Sequence, residues 1–138
     1  MKICIVENDK LLRDSLVLLF RTKGCDVREF TSAEDALREP EFPPPDIVVS
    51  DQNLPGMDGL EFLLQVAIRY RGAVRILIDA YPSGRFAAEA KQAGIEEYLL
   101  KPFSIGDIDR VMKRWLSTRA NGAQPRDGAD EDPNQGFG

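Results

Sequence analysis

No stretch of the 138-residue chain approaches the roughly 18 consecutive apolar residues that a membrane-spanning helix requires. Met1-Lys2 leads straight into a short strand pattern instead of a signal peptide, so a cytoplasmic protein without a membrane partner is expected. Positive charge is also scarce: 18 Lys and Arg stand against 23 Asp and Glu, for a formal net charge of -5. A nucleic-acid surface needs clustered Lys and Arg, so direct nucleic-acid contact by this chain is not expected. Cysteine is limited to Cys4 and Cys25. In a reducing compartment these read as packed, reduced thiols with no redox role. The length suits one domain with a sizeable core and is too short for two.

What is present is an alternation of short β-rich runs with longer helical stretches, the pattern of βα repeats around a parallel sheet covered on both faces. Strands are predicted near 2-6, 26-30, 46-50, 74-78 and 96-100. Leu12, Leu16, Leu19 and Phe20 recur at helical spacing, with Asp9 as N-cap and Gly24 as the stop. Ser32 with Asp35 and Ser104 with Asp107 have capping-box spacing and open the second and fifth helices. Pro43-Pro44-Pro45 reads as a stiff extended connector into the third strand. Trp115 falls with Ile108, Val111 and Met112 on one helical stripe, which predicts core packing. The domain is drawn at 1-118. From 119 to 138 polar residues, Gly and Pro dominate, which predicts a disordered tail or linker.

The segment Ile47-Val48-Val49-Ser50-Asp51 runs from a buried-strand pattern into a carboxylate, followed by the turn-forming Gln52-Asn53-Leu54-Pro55-Gly56-Met57-Asp58-Gly59. In open parallel sheets ligands bind at the carboxyl ends of strands, so Asp51 is a candidate for chemistry. Two other strands end comparably: Ile3-Cys4-Ile5-Val6 in Glu7-Asn8-Asp9, and Tyr98-Leu99-Leu100 in Lys101-Pro102. Simpler readings are a turn cap for Asp51 and an ordinary surface lysine for Lys101, but neither accounts for all three strand ends.

The Asp51 to Gly59 loop and Lys101-Pro102-Phe103 resemble motifs of the receiver domain of two-component response regulators, over about residues 1 to 118. The resemblance implies an α/β three-layer sandwich, with a five-stranded parallel sheet in flavodoxin-like order 2-1-3-4-5 and five helices. It implies that Asp51 accepts a phosphoryl group from a histidine kinase or histidine phosphotransfer protein, assisted by Mg²⁺ and by Lys101, and that a cis Lys101-Pro102 bond aims the lysine inward. An output domain, a partner protein or a homodimer would receive the signal. Mg²⁺ prefers oxygen ligands and keeps several waters, so Glu7, Asp51 and the Asn53 carbonyl suffice, with the Asn8 amide as a neutral addition.

Two positions depart from the family pattern. Asn8 stands where a second acid is usual, and Asp79 stands where a Ser or Thr follows strand 4. A carboxylate there accepts hydrogen bonds but cannot donate them, and two unit charges about 5 Å apart cost roughly 3 kcal/mol at an effective dielectric of 20. Pairing with Lys101, cation binding or protonation would relieve that repulsion. Tyr98 matches a position whose ring moves inward as the strand-4 hydroxyl turns toward the phosphoryl, and with Asp79 that coupling lacks its hydroxyl. A simpler reading of Tyr98 is a strand residue half packed on a helix. The leading expectation is a non-enzymatic phospho-accepting switch. The alternatives are an interaction module of the same fold working without phosphorylation, and an aspartyl-phosphate enzyme. The enzyme is disfavoured because Asp51-Gln52-Asn53 lacks a second acid.

Overall fold

The computed structural model describes residues 1–39, 44–80 and 84–120. The elements run β1 (Lys2–Val6), α1 (Lys10–Thr22), β2 (Asp26–Phe30), α2 (Ala33–Arg38), β3 (Ile47–Asp51), α3 (Gly59–Arg69), β4 (Val74–Asp79), α4 (Gly84–Gln92), β5 (Glu97–Leu100) and α5 (Ile105–Ala120). All strand pairs are parallel and the order is β2-β1-β3-β4-β5, as expected.

Period-two alternation splits the core between the two faces of the sheet. Ile3, Ile5, Ile47, Val49, Ile76 and Ile78 pack against Leu16 and Phe20 of α1 and Val111 and Trp115 of α5. The intervening Cys4, Val6, Val48, Leu77 and Tyr98 pack against residues of α2, α3 and α4, including Ala36, Phe62, Leu63 and Ala90. Near-continuous apolar strands are what a doubly covered parallel sheet requires. Both cysteines are free and buried, and burial pushes the Cys4 thiol up to about 12.

Local signals act where the sequence places them. Asp9 Oδ1 accepts from the backbone N–H of Leu11 (3.0 Å) and Leu12 (3.4 Å), capping α1. Gly24 ends it with φ +83°, a left-handed conformation that favours glycine. Ser32 Oγ accepts from Asp35 N–H at 3.1 Å. At α5 the box is reciprocal: Ser104 Oγ accepts from Asp107 N–H at 3.1 Å, and Asp107 Oδ2 from Ser104 N–H at 2.9 Å.

Boundaries shift by a residue where pairing decides. β3 extends to Asp51 because that residue pairs with Ile78, and β4 extends to Asp79 because it pairs with Leu100. Helix α5 runs to Ala120, two residues past the predicted boundary at 118. The remainder of the predicted tail, 121–138, and Pro43 of the connector lie outside the described residues. Among the described residues no helix is long and apolar enough to cross a membrane.

Candidate functional site

Parallel register carries three charged side chains to one edge. Val6 pairs with Ser50, so Glu7 and Asp51 each follow by one residue on neighbouring strands. Both are buried, at 1% and 4% exposure. Lys101, which follows β5 by one residue and precedes a cis peptide bond to Pro102, places Nζ 3.0 Å from Asp51 Oδ2 and 3.4 Å from Glu7 Oε1. Burial pulls the Lys101 ammonium down, but its bond to Asp51 and the nearby Glu7 more than offset this and hold it above the ordinary lysine value. Burial, then the neighbouring Asp51, pushes the Glu7 carboxyl up to about 7 against the lowering effect of Asp9 N–H, which donates to Glu7 Oε2 at 3.0 Å. Glu7 Oε1 is buried and has no hydrogen-bond donor.

The loop after β3 is held at both ends. Gln52 N–H donates to Ile78 O (2.7 Å), and Gln52 Oε1 accepts from Leu60 N–H (2.8 Å) at the start of α3. Asp58 caps α3 by accepting from Glu61 N–H at 2.9 Å. Gly59 lies so close to β3 that a Cβ there would overlap the Asp51 carbonyl. Asn53, exposed at the rim, donates its N–H to Asp51 Oδ1 at 3.3 Å. The loop apex is tied to α2: Glu34 Oε2 accepts from Met57 N–H at 2.8 Å, and that donation holds the Glu34 carboxyl below the ordinary range.

Asp79 does not make the Lys101 pair that was one of the three reliefs open to it. Lys101 is engaged by Asp51 and Glu7, whereas Asp79 Oδ2 accepts from the Tyr98 hydroxyl at 2.6 Å, with both residues buried. Burial first, and then this bond, hold the Tyr98 phenol well above its ordinary value, so it remains a donor. The Tyr98 ring lies 6.1 Å from that of Phe86 on α4, centroid to centroid. Tyr98 is thus fully packed, and the half-packed reading is corrected.

For Mg²⁺, the test is whether oxygen atoms lie available beside Asp51. Glu7 Oε1, which accepts no hydrogen bond, meets it beside the Asp51 carboxylate, and hard oxygens of this kind suit an ion that keeps several waters. Among the described residues no three acidic, cysteine or histidine side chains converge to hold a metal, so Asp79 is not a third carboxylate of the group. Asn8 is exposed at the rim of the pair.

Residues absent from the sequence reading include Glu34 and two buried polar networks. Arg75 on β4 pairs with Glu96 (3.4 Å) and donates to the carbonyls of Leu63, Ala93 and Gly94. Glu97 accepts from Trp115 Nε1 at 2.9 Å and from Arg114 at 2.6 Å. An arginine inside the apolar β4 run was the one visible sign of the first network. Beside the site, an apolar groove of about 430 Å³ runs between α1 and the start of α5, lined by Leu12, Leu18, Leu19, Phe103 and Ile105 among others.

Comparison with known proteins agrees with this geometry. The response regulator receiver domain family matches residues 3–113. The DNA-binding transcriptional regulator NtrC of Klebsiella pneumoniae is 31% identical over 94% of the chain and 28% of its own length. The response regulator protein FleR of Pseudomonas aeruginosa is 34% identical over 95% of the chain and 26% of its own length. The chain therefore spans about a quarter of these two relatives. Sporulation initiation phosphotransferase F of Bacillus subtilis is 29% identical over 87% of the chain and 97% of its own length. Among solved structures, a CheY-like response regulator receiver domain protein of Methanospirillum hungatei superposes with TM-score 0.80 at 24% identity, covering 88% of this chain and 98% of its own, a likeness of fold.

Proposed function

Because this chain belongs to the response regulator receiver domain family, we propose that it accepts a phosphoryl group on Asp51 from a phosphohistidine protein and passes the resulting state to an output domain or partner. The observation that carries this is the buried strand-end Asp51 with Lys101 Nζ at 3.0 Å and Glu7 alongside. An Asp51 oxygen attacks phosphorus, the phosphorus–nitrogen bond of the donor breaks with its electron pair leaving on the imidazole, and an acyl phosphate forms. Lys101, already bonded to Asp51, offsets the charge brought in by the phosphoryl oxygens. Glu7, Asp51 and the Asn53 carbonyl would hold Mg²⁺, which supplies further charge neutralisation at those oxygens. The donor protein docks in the α1/α5 groove, where Leu18 and Ile105 are 69% and 71% exposed and whose lining residues Leu12 and Phe103 also flank Lys101. Ile105→Asp should then slow transfer from a phosphohistidine protein while leaving uptake from a small phosphodonor unchanged.

The test is intact-mass measurement after incubation with Mg²⁺ and acetyl phosphate. The native chain should gain one phosphoryl group and Asp51→Asn none. Gain by the variant, or none by the native chain, rejects Asp51 as acceptor.

A second reading, a module that signals without phosphorylation, is favoured by one observation: the Asp79–Tyr98 bond already fixes β5 and, through Phe86, α4. Under this reading the face near Tyr98 has one conformation whether or not Asp51 is modified. Amide chemical shifts of β5 and α4 that do not change on phosphorylation would support it over the switch.

A further inference from the structure

The loop that follows Asp51 is anchored at its start by Gln52 and at its end by the Asp58 cap, but its apex at Pro55 to Met57 belongs to neither anchor. A side chain from another element reaches that apex. Glu34, second residue of α2 and 23 positions away in sequence, accepts the Met57 N–H at 2.8 Å. Contact with Gly56 is close enough that a Cβ at that glycine would collide with the Glu34 carboxylate, and Gly56 also takes φ +75°, so only glycine suits this approach. Glu34 Oε1 is buried without a donor, which makes the Met57 bond the carboxylate's directed hold on the loop. A charged acceptor makes a backbone N–H bond shorter and stronger than a neutral one. The same loop carries Asn53, which donates to Asp51 Oδ1 and whose carbonyl completes the proposed cation set.

We propose that Glu34 is a positioning residue for the acceptor site: its carboxylate latches the loop apex to α2 and thereby sets the cation affinity of the Glu7, Asp51 and Asn53 oxygens. The inference rests on the acceptor reading above for its purpose, but not for its measurement. Glu34 touches neither the cation set nor Asp51 in the structure and acts only through the backbone it holds. Removing a direct partner of a metal ligand commonly costs roughly tenfold to a hundredfold in affinity, and Glu34, acting through the backbone between Met57 and Asn53, belongs at the low end of that range.

The test compares Glu34→Ala, Glu34→Gln and Ser32→Ala with the native chain. Three quantities are read: Mg²⁺ affinity by titration calorimetry with Mg²⁺ alone, amide exchange of Met57 and Asn53, and thermal unfolding. Glu34→Ala should weaken Mg²⁺ binding about tenfold and speed exchange at Met57 by about the same factor. Glu34→Gln keeps an acceptor oxygen and should stay within about twofold of native affinity. Ser32→Ala weakens the α2 cap while leaving the carboxylate, so it should lower the melting temperature without altering Mg²⁺ affinity. Unchanged affinity in Glu34→Ala overturns the latch, and so does an equal loss in Ser32→Ala, which would reveal only general loosening of α2. A native chain that binds no Mg²⁺ overturns it as well. If the native chain binds Mg²⁺ but gains no phosphoryl mass while Glu34→Ala loses affinity, the acceptor reading falls and the latch stands.

Discussion

Two buried aspartates end neighbouring strands, and they face opposite kinds of partner. Asp51 on β3 meets an ammonium group and a second carboxylate, whereas Asp79 on β4 meets a phenol. At Asp51 charge is offset by charge, so the carboxylate can be kept near other anions and exchange its partner when one arrives. At Asp79 the Tyr98 hydroxyl bonds one oxygen and ties β4 to β5 and, through its ring, to Phe86 of α4. Residue type and position along the strand are nearly the same. The group across the strand decides the chemistry.

The largest way to break that contrast is at Glu7. Its folded pKa of about 7 lies above the 4.5 of an ordinary glutamate, so its contribution to stability is present below about pH 4.5 and lost as pH rises through 7. Without divalent cation the native chain should lose up to about 3 kcal/mol over that range relative to Glu7→Gln, which cannot titrate there. The variant should also lose nearly all Mg²⁺ binding. Urea unfolding at pH 5 and pH 8 measures the first effect, and identical pH slopes for both chains would refute it.

Next in size is Tyr98→Phe. Removing the hydroxyl takes away the donor 2.6 Å from a buried Asp79 oxygen and should cost about 1 to 3 kcal/mol. Urea unfolding with no loss of stability would mean that this bond is not needed to hold Asp79.

Asp79→Thr removes a negative charge near the acceptor and should speed phosphorylation by about tenfold, equivalent to about 1.4 kcal/mol. Freeing Tyr98 should also enlarge the chemical-shift response in β5 and α4. Equal rates and equal responses in the two chains would show that Asp79 is a tolerated substitution and that its charge is not felt at Asp51. The smallest effect sharpens the comparison from outside: Ser104→Ala loses the α5 cap and about 1 kcal/mol, yet should leave phosphoryl uptake at the native rate. A slower rate would extend the site into the α5 cap.

Much of this arrangement could be read before any coordinates, because strand ends in a parallel sheet are fixed by local pattern. Glu7, Asp51 and Lys101 each follow a β-rich run, so the topology alone brings them to one edge, and α1 and α5 carry their caps in sequence. The partner of Asp79 was not legible. Its choice between Lys101 and Tyr98 turns on cross-strand register and side-chain reach: Tyr98 lies two residues before Leu100, the residue paired with Asp79, on the face buried against α4. Glu34 was equally hidden, since an exposed-looking acid in the first turn of a short helix is ordinarily favourable to the helix dipole. Nothing local says that a loop 23 residues later folds back onto it. The Arg75 and Glu97 networks depend on contacts across 12 to 21 residues and escape pattern for the same reason.

The bond from Trp115 to Glu97 has a practical consequence. The chain has one tryptophan, and its indole is buried on the α1/α5 face against the first residue of β5, while Lys101 lies beyond the strand's other end. Ultraviolet emission from that ring follows whether α5 is seated on the sheet. Its intensity is therefore a gauge of folding and a poor gauge of occupancy at Asp51, and a tryptophan introduced at Phe86, beside Tyr98, would place the optical signal where the two readings of this protein differ.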